Sequence, residues 1–365
     1  IRKRLEEYGV CPDFKFDSEG LAKLIVAAPG LNWMERVQNA LQGIHGSYAL
    51  TIATMDGNLL AVRDPAGNRP LSYAYTQSGI FVSSESKGLR TLKAESVTEV
   101  APGEIVSFSD RGNFRSFLLD QPNLAICALE MIYFMHEHSR LDGYPVAAAR
   151  RELGHTLAVY HPGDGSEAGF VPDSSAAAGG EYAFSLRKRD RGLVRRSRNN
   201  TKRSFIEAEM RADVVETKYE VSDEFEGMVV DLVDDSIIRG TTARGLIQEI
   251  KYRGGEVNLL STAPKVVRGC DFGINMGSQG DEYIAIDSNG NLRSNEEIAL
   301  EIGAKSVNYN TLEDVAEALS YVGANIDNYC VSCFGGRSVP APTLRSVRPN
   351  IERLLDPRLS LQMVY

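Results

Sequence analysis

Residues 228–242 read MVVDLVDDSIIRGTT, and this stretch decides how the chain is expected to fold. Its apolar half predicts a buried strand, which runs into two adjacent carboxylates, Asp234 and Asp235, and then into an Arg-Gly-Thr-Thr turn. Beyond the turn, Leu246, Ile247 and Ile250 recur at helical spacing. Thr241 or Thr242 offers a hydroxyl at the helix start, and Gly254-Gly255 stops the helix before a second strand at 256–260. Strand, turn, helix and strand in that order form the repeating unit of a parallel α/β sheet. The chemistry follows from the same residues. Paired acids at a strand end suit the vicinal hydroxyls of a sugar, while the N–H groups of Gly240, Thr241 and Thr242 at the positive end of a helix suit a phosphate. A phosphorylated sugar would be gripped at both ends. The plainer alternative is a buried strand with a polar capping turn.

Upstream, residues 161–183, HPGDGSEAGFVPDSSAAAGGEYA, predict a short strand at 169–171, a Pro-Asp-Ser-Ser turn and a helix opened by small residues. Such a nest of backbone N–H groups with little side-chain bulk suits a pyrophosphate and its Mg²⁺. Between 187 and 203 lie nine Lys or Arg (187, 188, 189, 191, 195, 196, 198, 202, 203) against one acid, Asp190. The run reads either as a solvated loop or as a flap that closes over a polyanion. The net charge of −9 argues against nucleic acid as a general partner. No run approaches the ~18 apolar residues of a membrane helix. The opening IRKRLEEYGV lacks a signal-peptide pattern, so the cytoplasm is the expected compartment.

At 365 residues the expectation is about two domains. Residues 1–120 show two helices, 1–8 and 18–28, and then short strands punctuated by Gly, Asn and Asp-Gly: YALTIATMDGN, LLAVRDPAGNRPLSY, GIFVSSES and GEIVSFSDRGN. Residues 121–345 carry the α/β pattern, and 346–365 are expected to form a helical tail.

VPDSS at 171–175, a basic stretch reaching KRSFI at 202–206, and VDDSIIRGTT follow one another in an order that resembles the amidophosphoribosyltransferase family. ALEMIYFMHEHSRLDG at 128–143, whose family form is an acidic-aromatic strand, expected here at 130–134, and EEIALEIGAKSVNYNTLEDVAEAL at 296–319 extend the likeness. The first part, through IRKRLEEYG, FKFDSEGLAKLI, GSYALTIA, LLAVRDPAGNRPLSY, SSESKGL and VAPGEIVSF, is similar to the later part of an N-terminal-nucleophile glutaminase domain. The implied fold is therefore α+β then α/β: a partial glutaminase sandwich followed by a type I phosphoribosyltransferase parallel sheet. The implied reaction is displacement of pyrophosphate from 5-phosphoribosyl-1-pyrophosphate (PRPP) by glutamine-derived ammonia. Purine nucleotides are implied inhibitors, and a tetramer or dimer the implied assembly.

By this resemblance Asp234 and Asp235 hold the ribose and help position Mg²⁺, Ser175 sits at the metal, and Ser174, Lys202 and Arg203 contact substrate. Arg239, Gly240, Thr241 and Thr242 form the 5′-phosphate cradle. Asp17 would meet the α-ammonium of glutamine, although locally it reads equally well as a helix N-cap. The family nucleophile is an N-terminal Cys, whereas residue 1 here is Ile, so the expectation is a chain without the first part of its glutaminase domain and without glutamine hydrolysis. Two stretches depart from the family: Asn200-Thr-Lys-Arg-Ser-Phe replaces a Tyr-Val-Gly-Arg-Thr-Phe element, and 277–294 is insertion-like where a short acidic helix is usual.

The cysteines add a further expectation. Cys330 and Cys333 form a CxxC that needs two partners, and Cys127 and Cys270 stand where the iron–sulfur branch of the family holds a [4Fe–4S] cluster. A structural zinc or four inert thiols are the alternatives. His136 and His138 have no second pair of ligands nearby, Asp64 reads as a turn carboxylate, and the single Trp, Trp33, as a core or capping contact. Two other function classes fit the motif: a PRPP-binding regulator or degenerate paralogue without turnover, and a salvage transferase, which would lack the attached sheet domain and the four cysteines.

Overall fold

Alternation of apolar side chains along short strands builds the first unit of this computed structural model. The structure describes residues 1–94, 96–110, 112–119, 122–190, 192–197, 219–276, 283–340 and 352–354. It divides into two units, Ile1–Cys127 with Ser338–Tyr365, and Ala128–Arg337. The break falls after 127 and not at 120, because the 122–127 stretch is tied to the Asp64 turn. Ala125 N–H donates to Ala66 O (2.8 Å), Cys127 N–H to Asn68 O (3.1 Å), and the Asn68 amide to Ala125 O (2.6 Å).

In the first unit, helices α1 (Arg2–Glu7), α2 (Asp17–Ala27) and α3 (Trp33–Leu41) precede strands β1 (Ala49–Ala53), β2 (Leu59–Arg63), β3 (Ser72–Thr76) and β4 (Gly79–Ser83). Helix α4 (Ser86–Thr91) and strands β5 (Val97–Glu99), β6 (Glu104–Ser109) and β7 (Gly112–Phe117) follow. An antiparallel sheet of order β1-β2-β6-β7, closed by the strand Glu352–Leu354, stands beside a β4-β3-β5 sheet. Leu60, Val62 and Ile105 face the helices, where Leu24, Val37 and Leu41 meet them. Ala61, Val106 and Phe108 point the other way, onto Tyr73 and Tyr75. The expected helical tail is a strand at 352–354; the rest of 341–365 lies outside the described residues. Helix α3 was not legible as a helix, although Asn32, whose side chain accepts from Glu35 N–H, supplies its start.

The second unit carries α5 (Val146–Tyr160), β8 (Glu167–Phe170), α6 (Ala176–Ser185), β9 (Val194–Arg196), β10 (Tyr219–Val221), β11 (Val229–Asp234), α7 (Thr241–Tyr252), β12 (Glu256–Ser261), α8 (Asn295–Ile302), β13 (Ser306–Tyr309) and α9 (Leu312–Tyr321). Its parallel sheet has the order β8-β11-β12-β13. Val230, Leu232, Val257 and Leu259 pack one face against Leu246, Ile247 and Ile250 of α7 and Ile298 and Ile302 of α8. Val233 and Leu260 pack the other against Leu157 and Tyr182 of α5 and α6. Each fully buried aliphatic side chain contributes about 1.5–3 kcal/mol.

The expected strand at 130–134 is instead a π-helical turn, Glu130–Phe134, closed by Met135 N–H on Glu130 O (3.1 Å). An apolar run as short as MIYF fits either period, and buried Arg150 decides it by donating to the carbonyls of Met131 (2.9 Å) and Met135 (2.7 Å). Among the described residues no helix is long and apolar enough to cross a membrane.

Candidate functional site

The carboxyl ends of β8 and β11 bring the two sequence motifs side by side, because the strands are parallel neighbours with Phe170 opposite Val233. Asp234 and Asp235 are 8% and 7% exposed. The Ser175 hydroxyl donates to Asp234 Oδ1 (3.4 Å), and the Ser174 hydroxyl donates to the Asp235 carboxylate. Ser236 Oγ also donates to Asp235 (3.0 Å), and Asp235 N–H to Asp234 Oδ1 (2.9 Å). Just past the end of β12, the Thr262 and Ala263 N–H groups donate to the Asp234 and Asp235 carbonyls (2.9 Å each). Arg150, missed in the sequence, reaches Ser174 O (3.4 Å) and so ties the serine turn to the π-helical turn.

Gly240 occupies the N-cap of α7 with φ +72°, in the left-handed region. A Cβ there would lie 2.4 Å from Ile284 Cδ1 and 3.0 Å from Ile302 Cγ2, so both backbone conformation and space require glycine. The Thr241 and Thr242 hydroxyls do not cap the helix, contrary to expectation; Thr241 is its exposed first residue. The N–H groups of this first turn have no intrahelical acceptor and define an anion-binding end. Arg239 donates to Met276 O (3.1 Å). The insertion-like stretch contributes directly, since Ile284 N–H donates to Ile238 O (2.9 Å) and Ile284 is buried against the turn; its first residues, 277–282, lie outside the described ones.

The basic run does not act as one block. Lys188 is paired with fully buried Asp231. Arg196 pairs with Asp173 of the serine turn at 2.5 Å. Arg195 donates to Gly192 O (3.2 Å). Strands β9 and β10 form an antiparallel ribbon in which Arg196 lies opposite Tyr219. Tyr219 is buried, and burial first, then the charges of Asp234 and Asp235, push its phenol well above the ordinary range. Lys202 and Arg203 lie outside the described residues.

None of the five cysteines forms a disulfide. In the second unit Cys330 and Cys333 bracket a tight turn, Cys333 O accepts Val267 N–H (2.9 Å), and Phe272 N–H donates to Cys270 Sγ (3.3 Å). The Cys270 segment thus lies along the CxxC turn, while Cys127 belongs to the first unit. Among the described residues no three His, Cys, Asp or Glu side chains are gathered closely enough to hold a metal ion. Asp17 is exposed in the first turn of α2 and does not cap it. Asp64 is the expected turn carboxylate: buried, it accepts N–H groups from Ala66 (3.0 Å), Asn68 (3.1 Å), Arg69 (3.3 Å) and Tyr48 (3.3 Å). Burial raises its pKa, against the pull of those bonds.

A sequence profile described as a glutamine amidotransferase domain matches residues 1–91. The amidophosphoribosyltransferase of Methanocaldococcus jannaschii is 31% identical over 92% of this chain and 73% of its own length. That of Synechococcus elongatus is 33% identical over 90% and 67%. A solved structure, glutamine PRPP amidotransferase from Bacillus subtilis complexed with ADP and GMP, superposes with a TM-score of 0.80 at 30% identity, covering 92% of this chain and 73% of that one. A second, described as the allosteric regulatory enzyme of purine biosynthesis, gives 0.79 at 30% identity.

Proposed function

This chain belongs to the amidophosphoribosyltransferase family, and we propose that its second unit performs the transfer step at the site where the serine turn meets the paired acids. The reaction forms a bond from ammonia nitrogen to C1 of PRPP and breaks the C1–O bond. The electron pair leaves with pyrophosphate, and the nitrogen gives up a proton, yielding 5-phosphoribosylamine for purine biosynthesis. Asp234 and Asp235 accept hydrogen bonds from the ribose hydroxyls, and the N–H groups of Gly240, Thr241 and Thr242 hold the 5′-phosphate. Holding the sugar at both ends presents C1 to the nucleophile as it becomes oxocarbenium-like. The observation that carries this reading is the convergence of Ser174 and Ser175 on Asp235 and Asp234.

The same oxygen set suits Mg²⁺, which prefers carboxylate and hydroxyl ligands. Asp234, Asp235 and Ser175 would hold it, and it would neutralise charge on the departing pyrophosphate. The 5′-phosphate cradle also suits purine nucleotides as inhibitors. For the [4Fe–4S] cluster, the support is chemical: four cysteines outside any disulfide, three of them on adjoining segments of one unit. The metal-binding geometry is not gathered as the side chains stand, and no step of the reaction passes through the cluster. Cysteines without disulfides agree with a cytoplasmic setting, and a homo-oligomer is part of the same reading.

The test is pyrophosphate release from Mg²⁺-PRPP under anaerobic conditions, with ammonium chloride and separately with glutamine. Ammonia-dependent release is expected. Saturable PRPP binding without release from either donor would replace this reading with a PRPP sensor.

A further inference from the structure

We infer that Arg196 is a pyrophosphate-recognition residue held in reserve by Asp173, and that the two exchange partners when substrate arrives. The inference rests on the transfer site proposed above. Three observations meet here. Arg196 ends strand β9 and pairs with Asp173, the acid of the Pro-Asp-Ser-Ser turn. The turn that Asp173 opens reaches the acid pair through the Ser174 and Ser175 hydroxyls, which places this end of the ribbon next to Asp234 and Asp235. Two other cations of the run are engaged elsewhere, Lys188 with buried Asp231 and Arg195 with the Gly192 carbonyl.

The energetics favour exchange. The side chains of Arg196 and Asp173 are 37% and 68% exposed, so their pair is solvent-screened and weak. A guanidinium bound through two parallel N–H groups to a phosphate is a much stronger contact. Asp173, Asp234 and Asp235 put three carboxylates at the serine turn, so an incoming polyanion gains from a cation on the protein side there. Asp173 therefore serves two ends. It aims Arg196 at the serine turn before substrate binds, and it competes with the ligand afterwards.

Opposite effects from the two members of one ion pair make the inference testable. Binding of Mg²⁺-pyrophosphate and of ribose 5-phosphate would be measured by titration calorimetry on the full chain, as wild type, Arg196→Gln and Asp173→Asn. Arg196→Gln should weaken pyrophosphate binding by about tenfold or more and flatten its dependence on salt. Asp173→Asn should tighten it by a few-fold, in line with release of a weak exposed pair. Ribose 5-phosphate, which needs only the acids and the Gly240 turn, should bind all three proteins alike and so reports an intact fold. Pyrophosphate affinity unchanged in Arg196→Gln, or weakened in Asp173→Asn, would overturn the exchange while leaving the transfer site standing. A wild-type protein that binds neither ligand would overturn the transfer site, and the exchange with it.

Discussion

Strand β11 carries Asp231 and Asp234, with Asp235 directly after it, and its two ends treat carboxylates in opposite ways. At the amino-terminal half, Asp231 is fully buried and accepts from Lys188, Tyr182 Oη (2.7 Å), Asn258 Nδ2 (2.8 Å) and Gly165 N–H (2.9 Å). Gly165 comes so close that a Cβ would stand 2.5 Å from Asp231 Oδ1. At the carboxyl end, Asp234 and Asp235 are held by the hydroxyls of Ser174, Ser175 and Ser236. A fully buried carboxylate matched by a cation is fastened, since withdrawing the cation strands its charge in the core. A carboxylate held by rotatable hydroxyls can turn to a sugar or a metal with little rearrangement. One strand therefore combines a structural anchor and a working end.

The sharpest way to break this contrast is to neutralise the working end. Asp234→Asn with Asp235→Asn should lower pyrophosphate release by about a hundredfold or more, a loss on the scale of removing a key electrostatic contact. Its denaturation midpoint should stay close to that of the wild type. Surviving activity would remove both acids from the site.

At the anchored end the order reverses. Lys188→Met leaves Asp231 buried without its cation and should cost about 3–5 kcal/mol, read from urea unfolding of the second unit. Adding Asp231→Leu should recover part of that loss, though not all, because Tyr182, Asn258 and Gly165 then lose an acceptor. A loss below about 1 kcal/mol for Lys188→Met would mean the pair is not a fastening.

The parts of this arrangement legible in the sequence are those encoded locally. The apolar run before Asp234, the helical spacing of Leu246, Ile247 and Ile250, and the Gly254-Gly255 stop lie within one segment, and each became the expected element. The order VPDSS before VDDS also sufficed to suggest a joint site. What escaped depends on partners distant in sequence. The role of Asp231 has no local signal, because Lys188, Tyr182 and Asn258 come from other elements. Stretch 277–294 looked like an insertion, yet Ile284 closes over Gly240. The Glu130–Phe134 turn was misread because its geometry is set by Arg150, well downstream.

Gly240→Ala probes that closure. The positive φ and the contact with Ile284 should together cost about 1–3 kcal/mol and weaken ribose 5-phosphate binding several-fold. Trimming the neighbour by Ile284→Ala in the same protein should restore part of the binding, leaving the backbone strain. No recovery would assign the whole effect to φ.

A third kind of carboxylate in the same unit sharpens the comparison at its weakest extreme. Asp314, at the start of α9, accepts from Thr311 N–H (2.7 Å) and lies 2.7 Å from His161 Nε2. Burial pushes its pKa up, but the bonds from Thr311 and the His161 contact outweigh that, and the carboxyl sits below its ordinary value. A depressed carboxyl pKa stabilises the fold at pH values above the unfolded pKa, and that contribution disappears as pH falls through the folded one. The loss therefore belongs to the acid side, below the usual carboxylate range. Because the two side chains remain 27% and 12% exposed, solvent screening limits the pair to about 1 kcal/mol or less. His161→Ala should make the unfolding free energy of the second unit fall less steeply between mildly acidic and strongly acidic buffer than in the wild type. Identical slopes would show that the Thr311 cap alone holds Asp314, and that His161 adds packing without charge.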